Sequence, residues 1–223
     1  MKALNFIHIG KCGGGSIRSV LSSSTLLSVK YSSLSVTHVS RPVYKSNHDY
    51  LIIIRNPLLR AVSAFKWRYR LVVCEETQRN RFPNEYNILK RYKSFGQMAE
   101  LLYDNGKLNR LIASELLSIH HIRENISFYL SDLLQRSPAS QIIGVICQET
   151  LSEDCERILG ARIRERIHYN GGSDMSELSY RARLNALHFF AKDYKCIFRL
   201  YMNGNLPEMA FNRYFLEGMH FLF

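Results

Sequence analysis

None of the 223 residues belongs to an apolar run near the eighteen or so that cross a bilayer, which excludes a transmembrane segment within this sequence. The opening MKALNFIHIG lacks a cationic head, an apolar stretch and a small-residue cleavage site, so a cytoplasmic protein, or a trimmed lumenal domain, is expected. Cysteines are few. The five (Cys12, Cys74, Cys147, Cys155 and Cys196) include no CxxC pair, and their odd number argues against a complete disulfide framework. No metal is therefore expected. Carboxylates are scarce too: 19 Asp and Glu against 30 Lys and Arg leave a net charge of +11, which suits a polyanionic partner. The basic residues are spread from Arg55 to Arg166 without forming a tail or stripe, so the charge reads as solvation and not as a nucleic-acid footprint. No repeat and no low-complexity linker interrupts the chain, and 46% hydrophobic residues supply one core, so residues 1–223 are expected to form a single domain.

What the chain does have is an alternation of strand and helix signals. A strand is expected over 4–9, a helix from 16 to about 24, a short strand near 34–39, a strand over 50–55 and a helix from 57 to about 70. YLIIIR is the continuous apolar run of a strand buried on both faces, and the helix after it opens on Pro57 and carries Leu58, Val62, Phe65 and Tyr69 on one stripe. Residues 71–93 are polar, contain Pro83 and read as a loop or lid, after which helical periodicity resumes through FGQMAELLYDNG and LNRLIASELL. QIIGVICQE (141–149) reads as a core strand and LSEDCERILG as a helix closed by Gly160. HYNGGSDMS is turn-rich, and helices are expected over about 177–190, 193–202 and 207–217. The fold class is α/β, with a central, mainly parallel sheet flanked by helices and a helix-rich C-terminal half.

Two junctions carry chemistry. In LNFIHIGKCGGGSI (4–17) an apolar strand runs into a glycine-rich turn that opens a helix at Ser16. Gly13, Gly14 and Gly15 let the backbone approach an anion with no Cβ in the way; the N–H groups of the helix start carry partial positive charge, and Lys11 adds a full one. The lysine precedes the glycines, unlike GxxxxGK[ST], so a kinase or ATPase loop is disfavoured. At the second junction, IRNPLLRAVSAF ends a strand with Arg55 and places Ser63 in the following helix. Ligands of open α/β sheets sit outside the carboxyl ends of the strands, so anions at Lys11–Ser16 and at Arg55 would lie along one edge. Two anchors point to a ligand with two separated phosphates.

FIHIGKCGGGSI resembles the 5′-phosphosulfate loop of sulfotransferases that use 3′-phosphoadenosine 5′-phosphosulfate, typically HIPKTGGTS, and IRNPLLRAVSAF resembles their 3′-phosphate motif, typically LRDPxxRxxSxF. The similarity is closest to the carbohydrate branch of the heparan and chondroitin 2-O-sulfotransferase type, in which an HVS or HVR strand supplies a histidine base; here THVSRP stands at 37–42. IGVICQETLSEDCERILG and HYNGGS are similar to later segments of that family. The resemblance implies a P-loop-like three-layer fold and a metal-free sulfuryl transfer. It implies that Lys11 neutralises the leaving oxygen, that Lys11, Cys12, Gly13, Gly14, Gly15, Ser16 and Ile17 hold the 5′ end of the cofactor, that Arg55 and Ser63 hold its 3′-phosphate, and that His38 is the base. His8 also matches the family's first strand and is given a structural part. The implied product is 3′-phosphoadenosine 5′-phosphate, and the implied acceptor is a hydroxylated, acidic glycan or a smaller hydroxyl compound lined by Trp67, Tyr69 and residues 75–130. Arg68 and Arg70 either contact it or face water.

The chain departs from the family pattern at Gly10 (proline), Cys12 (threonine), Gly15 (threonine) and Asn56 (aspartate). The missing hydroxyl at Gly15 removes a phosphate hydrogen bond of about 1.5–3 kcal/mol. Two other readings stand beside the sulfotransferase. CGGGSIRS fits the C-x5-R-[ST] pattern of cysteine phosphatases, with Cys12 as nucleophile and Arg18 gripping the phosphate, although no acid signature accompanies it and Arg55–Phe65 is left unused. The third reading is a non-catalytic polyanion-binding domain.

Overall fold

A computed structural model describes residues 1–23, 25–161, 163 and 175–219. Its elements in chain order are β1 (Ala3–His8), α1 (Gly14–Ser23), α2 (Thr25–Lys30), β2 (Leu34–Thr37), β3 (His48–Ile54), α3 (Pro57–Tyr69), α4 (Glu85–Tyr92), α5 (Phe95–Leu101), β4 (Tyr103–Asp104), β5 (Lys107–Leu108), α6 (Arg110–Leu117), α7 (Ile126–Arg136), β6 (Ile142–Cys147), α8 (Leu151–Leu159), α9 (Tyr180–Phe189), α10 (Ala191–Met202) and α11 (Glu208–Met219).

Four strands form one parallel sheet in the order β2-β1-β3-β6. Consecutive residues of β1 and β3 are buried, from Ala3 to Ile7 and from Asp49 to Ile54, so both faces of the sheet are covered. β2 is the exposed edge strand. One hydrophobic cluster joins the sheet to Ile17, Val20 and Leu21 of α1 and to buried residues of α7, α8 and α10. The i, i+3, i+4 spacing of the α1 residues is what lets a short helix bury one stripe. A second cluster gathers α3, α4, α5, α6 and α9 around Phe65, Leu89, Met98 and Phe190. The α/β class with a parallel central sheet agrees with the expectation, and no described helix is long and apolar enough to cross a membrane.

Two stretches differ from the sequence reading. Within 71–93, expected to be a loop, α4 forms over Glu85–Tyr92, because Arg68 of α3 buries a two-pronged ion pair with Glu85 (Nε to Oε1 3.0 Å, Nη2 to Oε2 2.7 Å). Arg68 is 1% exposed, so it neither faces water nor reaches an acceptor. Helical periodicity was expected through Gly106, yet α5 stops at Leu101. Asn105 and Gly106 both take positive φ (46° and 75°) and turn the β4–β5 hairpin, the conformation an Asn-Gly pair favours between strands. The HYNGGS segment lies outside the described residues.

Candidate functional site

The carboxyl ends of β1 and β3 meet at the glycine-rich turn. Arg55, one residue past β3, donates from Nη1 to the carbonyl of Lys11 at 3.3 Å, so both expected anion anchors share one rim of the sheet. Lys11 and Gly13 hold left-handed conformations (φ 69° and 86°), and α1 begins at Gly14, two residues ahead of the expected start. The N–H groups of a helix's first turn have no carbonyl four residues earlier within the helix, and here that of Ser16 is taken by the Gly13 carbonyl. The Lys11 ammonium lies 4.3 Å from the Trp67 ring centroid, and the Arg70 guanidinium lies 4.5 Å from the same ring. Burial, then Arg55 and then Arg70, push the lysine pKa down to about 8. Cations crowded to this extent suit a ligand carrying several negative charges.

The remaining expected residues divide by position. Cys12 is fully buried in the core, and burial pushes its thiol up to about 12, the reverse of an activated nucleophile. Ile17 is likewise a core side chain, so both offer a ligand only their backbone. Ser16 is 2% exposed, with its N–H on the Gly13 carbonyl at 3.2 Å. Ser63 is half-buried on the α3 stripe that also carries Arg60 and Trp67, at i−3 and i+4. That stripe faces the turn, since Arg60 reaches the Gly10 carbonyl and Trp67 reaches Lys11.

His38 stands just after β2. Its Nδ1 lies 2.8 Å from the His8 carbonyl, an acceptor, which assigns the proton to Nδ1 and leaves the Nε2 lone pair available. Its ring stacks on His8 with centroids 4.2 Å apart, and burial holds its pKa below the ordinary imidazole value. Val39 beside it has φ 62°, a strained state for a β-branched residue, with its N–H on the Tyr129 hydroxyl at 3.0 Å. Lys11, Val39 and His121 (φ 67°) thus place three left-handed non-glycine residues in one neighbourhood, and such strain concentrates at functional sites.

Two residues of this neighbourhood escaped the sequence reading. Arg60, fully buried, donates from Nη1 to the carbonyls of Gly10 (3.3 Å), His121 (2.7 Å) and Glu124 (3.2 Å), tying the turn to residues 121–124. The second arginine of IRNPLLRAVSAF, three residues before Ser63, was its signal. His121 had no local signal, since its role depends on a contact 111 positions away in sequence from Gly10.

Packing accounts for several residues of the turn and of the α3 start. A Cβ at Gly10 would lie 2.5 Å from Nδ1 of His121, so this imidazole occupies the space a larger residue would need. A Cβ at Gly14 would fall 2.0 Å from the His8 ring. Nothing stands within 4 Å of one at Gly15. Asn56 caps α3, its side chain accepting from the N–H groups of Leu58 and Leu59 at 3.0 and 3.3 Å, a task asparagine performs as well as aspartate. Comparison with protein-family models, with curated proteins and with solved structures yields no match.

Proposed function

We propose that this chain is a sulfotransferase that moves a sulfuryl group from 3′-phosphoadenosine 5′-phosphosulfate to a hydroxyl of a carbohydrate, on a P-loop-like three-layer fold. The observation that carries the reading is the adjacency of the two anion anchors, Arg55 reaching the backbone of Lys11 at 3.3 Å. In this account the α1 N-terminus and Lys11 take the 5′-phosphosulfate, and Arg55 and Ser63 take the 3′-phosphate. The acceptor O–H gives its proton to Nε2 of His38 as the new O–S bond forms. The S–O bond to the 5′-phosphate breaks, and the departing oxygen gathers negative charge, which the Lys11 ammonium offsets. Positioning and charge stabilisation suffice for such a transfer, as for phosphoryl groups.

The cysteine phosphatase reading is disfavoured by the burial of Cys12. A non-catalytic polyanion binder would share the cations but has no use for a His38 whose free lone pair is held in place. Transfer of labelled sulfate from 3′-phosphoadenosine 5′-phosphosulfate to unsulfated heparan and chondroitin backbones tests the proposal. Activity should fall at least a hundredfold in Lys11→Met and His38→Ala, within the range typical of general-base and charge-stabilising groups. Binding of the nucleotide with no transfer to any hydroxyl acceptor would leave the binder.

A further inference from the structure

We propose that His121 is a second catalytic imidazole of this site, donating a hydrogen bond from Nε2–H to an equatorial oxygen of the sulfuryl group in flight. The inference rests on the sulfotransferase reading and adds a residue to it. Its backbone is clamped at both ends: the N–H donates to Oε2 of Glu124 at 2.7 Å, and the carbonyl accepts from Arg60 at 2.7 Å. The clamp holds a left-handed φ of 67° and lays the ring directly against Gly10 of the anion turn. The ring centroid lies 5.8 Å from that of His38, with the two planes tilted by 35°, so the two imidazoles are close neighbours beside the turn.

Nδ1 of His121 is buried and has no hydrogen-bond partner among the described residues. A neutral imidazole carries one N–H and one lone pair, and a buried lone pair without a partner is more readily tolerated than an orphaned N–H. We therefore assign the proton to Nε2, which makes that nitrogen the donor. His38 has the opposite tautomer, fixed by the His8 carbonyl. One ring thus accepts the acceptor's proton while the other donates to the transferred group. The sulfuryl oxygens keep their protonation state throughout, and the only proton moved goes from the acceptor to His38.

The test compares His121→Phe, which keeps a ring against Gly10 without a donor, with His121→Gln, whose side-chain N–H can stand in for Nε2–H. Affinity for 3′-phosphoadenosine 5′-phosphate, melting temperature and kcat are measured for each. The Phe variant should lose kcat by about 10²–10³ with nucleotide affinity within threefold of the parent, and the Gln variant should recover at least tenfold of that loss. Equal kcat in the two variants, or a loss of affinity and melting temperature matching the loss of kcat, would reduce His121 to packing. A parent protein that does not bind the nucleotide would overturn the sulfotransferase reading itself, and this inference with it.

Discussion

Lys11 concentrates the electrostatics of the site. With its pKa held to about 8 by burial, Arg55 and Arg70, the charged form that the proposed transfer requires at its leaving oxygen is lost as pH rises through that value in the free protein. The pH profile of kcat/KM for the cofactor should therefore fall on its alkaline side near pH 8. The limb for kcat should lie higher, because a bound polyanion favours the ammonium. Profiles flat to pH 10 would contradict this. Cys12, by contrast, is a core residue whose thiol has no part in the proposed transfer, so Cys12→Ser should keep most of the transfer rate. Loss of nearly all activity, with the melting temperature unchanged, would restore the phosphatase reading. Gly15 is the site with room: Gly15→Thr places a hydroxyl at the start of α1 where nothing obstructs a Cβ. A hydrogen bond to a charged phosphate is worth about 1.5–3 kcal/mol, so nucleotide affinity should rise roughly tenfold or more, measured by calorimetry. Unchanged affinity would mean that no phosphate sits beside Gly15.

At the scale of elements, the two strand-to-helix junctions were legible because each rests on a local pattern. Apolar runs set β1 and β3, glycines and Pro57 set the helix starts, and Arg55 and Lys11 fall at strand ends whichever way the rest packs. α4 was not legible, since its anchor is a buried ion pair between Arg68 and a glutamate 17 residues away, reinforced by the His120 N–H on Glu85 at 2.9 Å. Charged residues in a polar stretch look like a loop until the partner is known. The β4–β5 hairpin was missed although its Asn-Gly signal was present, because the apolar spacing before it fits a helix. The Arg68–Glu85 pair predicts a large effect: Glu85→Ala strands a buried guanidinium and should cost about 3–5 kcal/mol in denaturant unfolding. A change within 0.5 kcal/mol would mean that this guanidinium finds water. The pair holds α3 to α4 and, through His120, steadies the segment that carries His121. Sequence pattern could suggest neither connection, and the tautomers of His38 and His121 likewise depend on contacts made only in the fold.

Over the whole molecule, burial of neutral histidines under the site should make stability depend on pH. His8, stacked between Phe6 and His38, has its pKa pushed down to about 3, first by burial and then by His38 and Arg18. Between about pH 6.5 and 3 the unfolded chain binds a proton at this position that the folded chain does not, so its contribution is complete above pH 6.5 and is lost as the pH falls. The melting temperature should decline from pH 7 to pH 5, and less steeply in His8→Asn; identical slopes would remove His8 from the account. The net charge of +11 was readable from composition, but its use was not, because the sequence does not reveal which cations already have partners. Arg68 is spent on Glu85, whereas Lys11 and Arg55 are gathered at one rim with Trp67 beside them.

Trp67 is the only tryptophan of the chain, and the Lys11 ammonium lies 4.3 Å from its ring, so indole fluorescence reports directly on the anion turn. The decisive measurement is a titration with 3′-phosphoadenosine 5′-phosphate followed by that fluorescence and by calorimetry. Saturable one-site binding is expected in the micromolar to submillimolar range typical of enzyme substrates, weakened at least tenfold in Lys11→Met and in Arg55→Met. No binding at millimolar nucleotide, or binding indifferent to both substitutions, would contradict the sulfotransferase reading.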